Sequence, residues 1–350
     1  MSEYNIFAYG SNLSKPDWGS YCSSVGFDPE RLLTIGSAIL PDHYISFDRY
    51  SETRRGGVLN VRHKVGLFTP GALFKTDDDG LRILRRKEGV AVHAYQEKEV
   101  IVIDEEGCEV RAITFEVPNS RVEPFQKPSD EYLQVCLDGY RRFELDETPL
   151  LAAARGEQPA VAAGFFSYGT LMRGEARFPV VSQYGIRSAI MATVSGNLFD
   201  AGRFPILDLR GDSFVAGDLF NLGDLEGFLL RADEIEGFHG FGRSENLFRR
   251  TLYRVDVGGI GQRVAWMYVR DDDRFPGIPG GDWRVHKGVD VSFRENVLLG
   301  HFGHMAPREG DDHLKKDFLD DSTRLPMHRC VDERSLAQIS GNWRACCGES

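Results

Sequence analysis

The chain has 350 residues, 41% hydrophobic and 11% aromatic, a composition and length that fit two or three ordinary globular domains. Its 42 Lys and Arg stand against 53 Asp and Glu, and the resulting net charge of −11 argues against general nucleic-acid or anionic-membrane binding, which draws on basic surface. No apolar run approaches the ~20 residues of a membrane span, and the six scattered cysteines, without a Cys-x-x-Cys pair, read as reduced thiols rather than a disulfide scaffold or zinc ribbon.

The start, Met1-Ser2-Glu3-Tyr4-Asn5, lacks the basic residues and apolar core of a signal peptide, which reads as a cytoplasmic protein. An apolar run then ends in Phe7-Ala8-Tyr9-Gly10-Ser11-Asn12-Leu13. Aromatic, glycine and small hydroxyl residue in succession read as a buried strand turning sharply into a loop. Glycine there lets the main chain approach a ligand, and consecutive free N–H groups make a nest for negative charge or a carbonyl oxygen. Residues 14–29 read as irregular, and the apolar runs 35–40, 44–47, 57–61 and 71–74 imply several short strands. The first clear helix is predicted over 77–87, with Leu81 and Leu84 facing the core and acidic residues in its first turn; its end delivers Glu88 before Gly89. Residues 99–103 and 111–117 flank a hairpin turn at 104–108. Ser129 opens a helix with Tyr132, Val135, Leu137 and Tyr140 on its apolar face, and 146–161 reads as a terminal helix and linker, placing a boundary near 160.

The second half repeats the first. Phe166-Ser167-Tyr168-Gly169-Thr170-Leu171-Met172 copies the opening loop, strands are predicted at 189–199 and 214–220, and a helix from 224 carries Leu225, Phe228, Leu229, Ala232 and Ile235 at helical spacing. That helix again ends in Glu-Gly, at Glu236 and Gly237; the tyrosine-to-glutamate separation is 88 − 9 = 79 residues in the first half and 236 − 168 = 68 in the second. A hairpin follows over 248–257 and 263–269. From about 289 onward no pattern recurs: His286, His301, His304, His313 and His328 match no metal-ligand spacing, and 308–324 reads as a solvated surface segment.

The loop and the Glu-Gly motif, in the same order twice, resemble the gamma-glutamylcyclotransferase-like family, in which a Tyr-Gly-Ser/Thr-x-Leu loop forms the pocket and a later Glu-Gly glutamate is the acid/base. The resemblance covers roughly 4–145 and 163–285, and Gly281-Asp282-Trp283 is similar to the ending of the shorter bacterial members. It implies an α+β fold of two tandem domains, over 1–158 and 160–290, each a small mixed or antiparallel β-barrel with packed helices, followed by a C-terminal extension at 291–350 whose role stays open. It implies Glu88 and Glu236 as catalytic groups. It also implies a substrate pocket made by Tyr9, Gly10, Ser11, Asn12 and Leu13 in one half and Tyr168, Gly169, Thr170, Leu171 and Met172 in the other, bordered by Tyr132 and Tyr268. The implied reaction is 5-oxoproline release from a small-molecule γ-glutamyl amine or peptide (acyltransferase or lyase), with no metal or cofactor; the amine and the oligomeric state stay open. Two alternatives stand beside it, γ-glutamyl deprotection of a biosynthetic intermediate and a non-catalytic tandem binding module.

Taken alone, each glutamate reads as a solvated last-turn residue and each tyrosine equally as core or rim. The halves also differ. The family's acid three residues before the glutamate is kept as Asp233, whereas Arg85 stands there in the first half. An arginine beside Glu88 is expected to hold it ionised, which would make the second site the more active.

Overall fold

The computed structural model describes residues 2–157 and 164–288. The expected linker near 160, the extension 291–350, the histidines beyond His286 and the segment 308–324 lie outside the described residues.

In the first half, β1 (Glu3–Ala8) runs into the glycine loop. Residues 14–29, expected to be irregular, contain α1 (Lys15–Val25). The Ser14 side chain caps it by accepting from Asp17 N–H at 3.4 Å, and Gly26 ends it at φ 67°. It escaped pattern reading because only Trp18 and Cys22 are buried, too few to mark an apolar stripe. The four short strands expected over 35–74 are two long ones, β2 (Leu33–Ser51) and β3 (Gly56–Asp77), paired antiparallel. The interruptions at Gly36, Pro41-Asp42 and Asp48 coincide with register shifts, so they are bulges that bend the ribbon rather than breaks between strands. Then come α2 (Asp78–Lys87), β4 (Gln96–Asp104), β5 (Glu109–Glu116), α3 (Asp130–Arg142, capped by Ser129) and α4 (Thr148–Ala154). The strands close into a barrel in the order β1-β3-β2-β4-β5, with β5 returning parallel to β1.

The second half contains β6 (Gly164–Ser167), α5 (Phe178–Ser182), β7 (Ile186–Ser195), β8 (Asn197–Asp200), β9 (Pro205–Asp208) and β10 (Phe214–Leu222). It continues through α6 (Leu225–Glu236), β11 (Arg249–Val257), β12 (Gly261–Val269) and α7 (Trp283–His286). The expected strand 189–199 divides at Gly196, where β8 leaves the barrel to pair with β9. The remaining strands close as β6-β10-β7-β11-β12, again with a parallel return, so both barrels have one topology and neither leaves a free sheet edge.

The repeat extends to packing that the motifs did not reveal. A Cβ on Gly71 of β3 would stand 2.3 Å from Ala8 O and 2.6 Å from the Phe7 ring; on Gly217 of β10 it would stand 2.2 Å from Ser167 O and 2.7 Å from the Phe166 ring. Each glycine lets the strand that carries the loop press directly onto its neighbour. Gly217→Ala is therefore expected to destabilise the chain by about 1–3 kcal/mol, the usual cost of overpacking, and lower its melting temperature. An unchanged melting temperature would mean that β6 and β10 part without cost.

The barrels are not independent lobes. Ile39, Phe68 and Ile103 of the first belong to one buried cluster with Phe165, Phe220, Phe228, Leu229 and Trp266 of the second. Trp266, fully buried, donates its indole N–H to Gly66 O at 3.0 Å. The α6 helix lies against β3 there: a Cβ on Gly66 would be 3.4 Å from Leu229.

Candidate active site

Each barrel has a cleft at the mouth where its first strand becomes the glycine loop. In both, a helix ends on the glutamate, and the following glycine takes up a left-handed turn, Gly89 at φ 65° and Gly237 at φ 63°. That conformation, which a side chain resists, turns the chain away and leaves the glutamate at the helix end over the cleft. The loop tyrosines play the same part in both halves. Tyr9 Oη donates to Phe115 O and Tyr168 Oη donates to Tyr268 O, each at 2.6 Å, pinning the loop to the last barrel strand.

The first cleft, about 340 Å³, is lined by Tyr9, Gly10, Ser11, Asn12, Leu59, Glu88, Tyr95 and Tyr132 among others; the second, about 380 Å³, by Tyr168, Gly169, Thr170, Leu171, Arg177, Phe204, Pro205, Glu236, Phe248 and Tyr268. Their sizes are alike, so chemistry must separate them. Leu13 and Met172, expected in the pockets, are fully buried behind the loops, and their amides donate to Gly10 O and Gly169 O at 2.9 Å. They close the turn instead of lining the cleft. Tyr132 and Tyr268 both border clefts but are not counterparts: Tyr132 comes from α3, whereas Tyr268 occupies on β12 the place that Phe115 holds on β5, each carbonyl accepting from the loop tyrosine.

In the first cleft the glutamate is engaged. Asn12 Nδ2 donates to Glu88 Oε1 at 2.7 Å, and Asn12 Oδ1 accepts from Lys87 Nζ at 2.8 Å. Lys87, nearly buried, also reaches Ser11 Oγ at 3.3 Å and pairs with Asp17 at 3.0 Å, the residue that the unexpected α1 supplies. Asp17 in turn pairs at 2.8 Å with Arg54, whose guanidinium lies over the Tyr132 ring. Arg85, expected to act on Glu88, instead forms a two-pronged pair with Glu97, its Nη2 at 2.9 Å. Lys87, which precedes the glutamate, binds the loop side chains and not the glutamate.

In the second cleft Leu171 stands where Asn12 stands in the first, and a leucine cannot hydrogen-bond a carboxylate. Glu236 sits with 13% of its side chain exposed among Leu171, Phe204 and Phe248. Burial pushes its pKa up to about 7, opposed by the Arg177 guanidinium at 3.9 Å; withdrawal from water without a hydrogen-bond donor favours the neutral acid. The α6 helix ends at this residue, and the negative end of its dipole works in the same direction. The loop opposite is rigidly held. Arg177 N donates to Thr170 O at 2.8 Å, and Arg173 donates through both backbone and guanidinium to the fully buried Asp218, which also pairs with Arg284. The Gly-Asp-Trp ending thus braces the loop from behind: Asp282 caps α7, and Arg284 follows it.

Sequence reasoning missed Tyr95 and Leu59 in the first cleft and Arg177, Phe204, Pro205 and Phe248 in the second. One signal was present. Tyr95 and Phe248 each immediately precede the strand after the Glu-Gly turn, β4 and β11, so they are counterparts in the repeat. Among the described residues no group of three His, Cys, Asp or Glu is gathered as a metal ion would require; His286 pairs with Asp200 at 2.7 Å.

A closed five-stranded barrel with a pinned glycine loop facing a glutamate at a helix end, built twice, defines a tandem α+β chain of one architecture. Residues 165–285 match the model of the family described as "Gamma-glutamyl cyclotransferase, AIG2-like", and residues 70–147 match that of the "AIG2-like family". A relative from Niallia circulans, a gamma-L-glutamyl-butirosin B gamma-glutamyl cyclotransferase, is 32% identical over 123 residues, 35% of this chain and 76% of the relative. The chain belongs to the gamma-glutamylcyclotransferase-like family and carries two of its domains in tandem, which makes it an enzyme of the cyclotransferase kind. Similar solved structures include a gamma-glutamyl cyclotransferase at 24% identity, covering 46% of this chain and 92% of that one with a TM-score of 0.38. Another is YkqA from Bacillus subtilis at 14% identity, covering 87% and 99% with a TM-score of 0.32. No helix of the described residues is long and apolar enough to cross a membrane.

Proposed function

We propose that the chain releases 5-oxoproline from a small-molecule γ-glutamyl amine or peptide, chiefly at the second cleft. The observation that supports this most is Glu236, unengaged by any donor of the loop, in apolar surroundings and titrating near neutrality. Such a carboxyl can take and return a proton at physiological pH.

The substrate's α-ammonium gives a proton to Glu236, and the freed amine attacks the γ-carbonyl carbon of its own glutamyl group. The carbonyl π electrons move to oxygen, and the loop amides at Gly169, Thr170 and Leu171 face the developing oxyanion. Glu236 then protonates the leaving nitrogen, the C–N bond breaks as the carbonyl re-forms, and the second proton that the ring nitrogen must shed passes through Glu236 to the departing amine, so that 5-oxoproline and an ammonium product leave. Nucleophile and electrophile belong to one molecule, so holding the folded conformer supplies much of the rate. Every proton removed is returned, and no covalent enzyme intermediate is needed.

The first cleft, on this reading, binds rather than turns over, because Asn12 occupies the carboxylate that would have to accept the proton. The test is a panel of γ-glutamyl amino acids, peptides and larger γ-glutamylated amines, assayed for 5-oxoproline with EDTA present. Release from at least one member is expected. Release confined to the larger amines would favour the second reading, deprotection of a biosynthetic intermediate, for which the butirosin-linked name of the Niallia circulans relative speaks. No release from any member would favour a binding module.

A further inference from the structure

The chain from the second cleft does not stop at the barrel that contains it. Tyr268, on the cleft wall, donates through its hydroxyl to Asp233 Oδ1 at 2.6 Å. Asp233 lies on α6, one turn before Glu236, and its other oxygen is 3.1 Å from Arg250 Nη1, an ion pair rather than an aligned hydrogen bond. Arg250 is 2% exposed, enclosed by the rings of Phe238, Phe241 and Trp266, with centroids 5.0, 5.3 and 5.0 Å from its guanidinium carbon. Its Nη2 pairs with Asp42, which belongs to the first barrel.

Asp42 is shaped for this contact. It sits at the register shift between Pro41 and His43 in β2, with φ 53°, one of the few described non-glycine residues in the left-handed region. A bulge re-aims a side chain out of the alternation of its strand, and a non-glycine residue persists at positive φ only where its surroundings over-determine it. Here those surroundings are two bonds: Asp42 Oδ1 accepts from Gly66 N–H at 2.9 Å, and the other oxygen takes Arg250. Gly66 is also the residue against which α6 leans and whose carbonyl accepts from Trp266. One short stretch of the first barrel therefore supports the helix, the tryptophan and the arginine that surround the second site.

We infer that Asp42 is a positioning residue of the second site, acting across the barrel interface through Arg250 and Asp233 to hold the Tyr268 hydroxyl and the last turn of α6 in working geometry. This rests on the reading of the second cleft as the site of turnover. A guanidinium shared between two carboxylates is fixed between them; with one gone, it follows the other, and Asp233 is drawn off Tyr268. Asp42 touches no substrate, so the loss falls on the chemical step more than on binding. The tandem arrangement then has a purpose beyond two copies of one pocket: the first domain completes the second.

The experiment is a double-mutant cycle on the full chain, with kcat and KM measured for 5-oxoproline release. Asp42→Asn keeps the size of the side chain and the acceptor for Gly66, removing only the charge. It is expected to lower kcat about tenfold with KM changed less than about twofold, the split that marks loss of an interaction made in the transition state. In a Tyr268→Phe background the same change is expected to cost less than about twofold further, because residues acting in series are non-additive. Full kcat in Asp42→Asn, or losses that multiply in the double variant, would overturn the inference while leaving the function of the cleft intact. If Asp42→Asn does not fold, the pair Asp42→Leu with Arg250→Met removes both cross-barrel charges together and leaves Asp233 held by the Tyr268 hydroxyl alone. A folded pair variant with full kcat would overturn the inference equally. A wild-type chain that releases no 5-oxoproline, with its melting transition intact, defeats the reading of the cleft and this inference with it.

Discussion

Glu236→Gln is expected to reduce 5-oxoproline release at pH 8 by about 10²- to 10⁴-fold, the range a positioned acid/base contributes, whereas Glu88→Gln should cost less than about threefold. The contrast follows from one position in the repeat. Asn12 donates to Glu88 and is itself locked by Lys87, so a substrate must compete for Glu88 with a charge-assisted bond in the middle of a network that includes Ser11 and Asp17. Leu171 makes no such demand on Glu236, whose nearest cation, Arg177, is 3.9 Å away and half exposed. The measurement is kcat of the two variants on the best substrate of the panel, with circular dichroism to establish folding. Near-full activity in Glu236→Gln beside its loss in Glu88→Gln would reverse the assignment of the two clefts. Equal partial losses would mean that both turn over.

The doubling of fold and site could be read from the chain because each copy is announced by residues with few alternatives: glycine where the backbone must turn left-handed, tyrosine where the loop must be pinned, and a run of apolar residues before each. The helices α2, α3 and α6 were legible from their spacing and from Asp77, Ser129 and Asp224 at their starts. The long β2–β3 ribbon was not. Gly36, Pro41 and Asp42 interrupt its alternation, and a bulge and a strand end look alike until the partner strand is known. The expected role of Arg85 failed for a related reason: three residues along a helix bring it near Glu88 in sequence, but Glu97 on β4 competes for it in space and wins. Least legible was the dependence of the second site on the first barrel. Asp42 and Asp233 are separated by most of the chain, and nothing in either segment names the other; only closure of both barrels brings Arg250 between them.

The protonation of Glu236 ties activity and stability to pH in opposite directions. As a base it must be ionised, so kcat/KM should rise about tenfold per pH unit below about 7 and level off above it; in Glu236→Gln that inflection should vanish from whatever rate remains. For stability the sign is reversed. Its folded-state pKa of about 7 lies above the ordinary value of 4.5, so between those limits the folded chain holds a proton that the unfolded chain has released. Stability from this group is therefore fully present below about pH 4.5 and is lost as pH climbs through 7, a difference of about 3 kcal/mol at 1.36 kcal/mol per pH unit. Gln carries no charge at any pH and escapes this loss. Glu236→Gln should accordingly melt several degrees above the wild type at pH 8, by the usual conversion of about 2–4 °C per kcal/mol for chains of this size, and match it at pH 4.5. A variant that is inactive yet more stable only on the alkaline side is the signature of a carboxylate kept out of water for its chemistry. Equal melting temperatures at both pH values would mean that Glu236 is solvated in the free enzyme, and the near-neutral inflection in kcat/KM should then be missing as well.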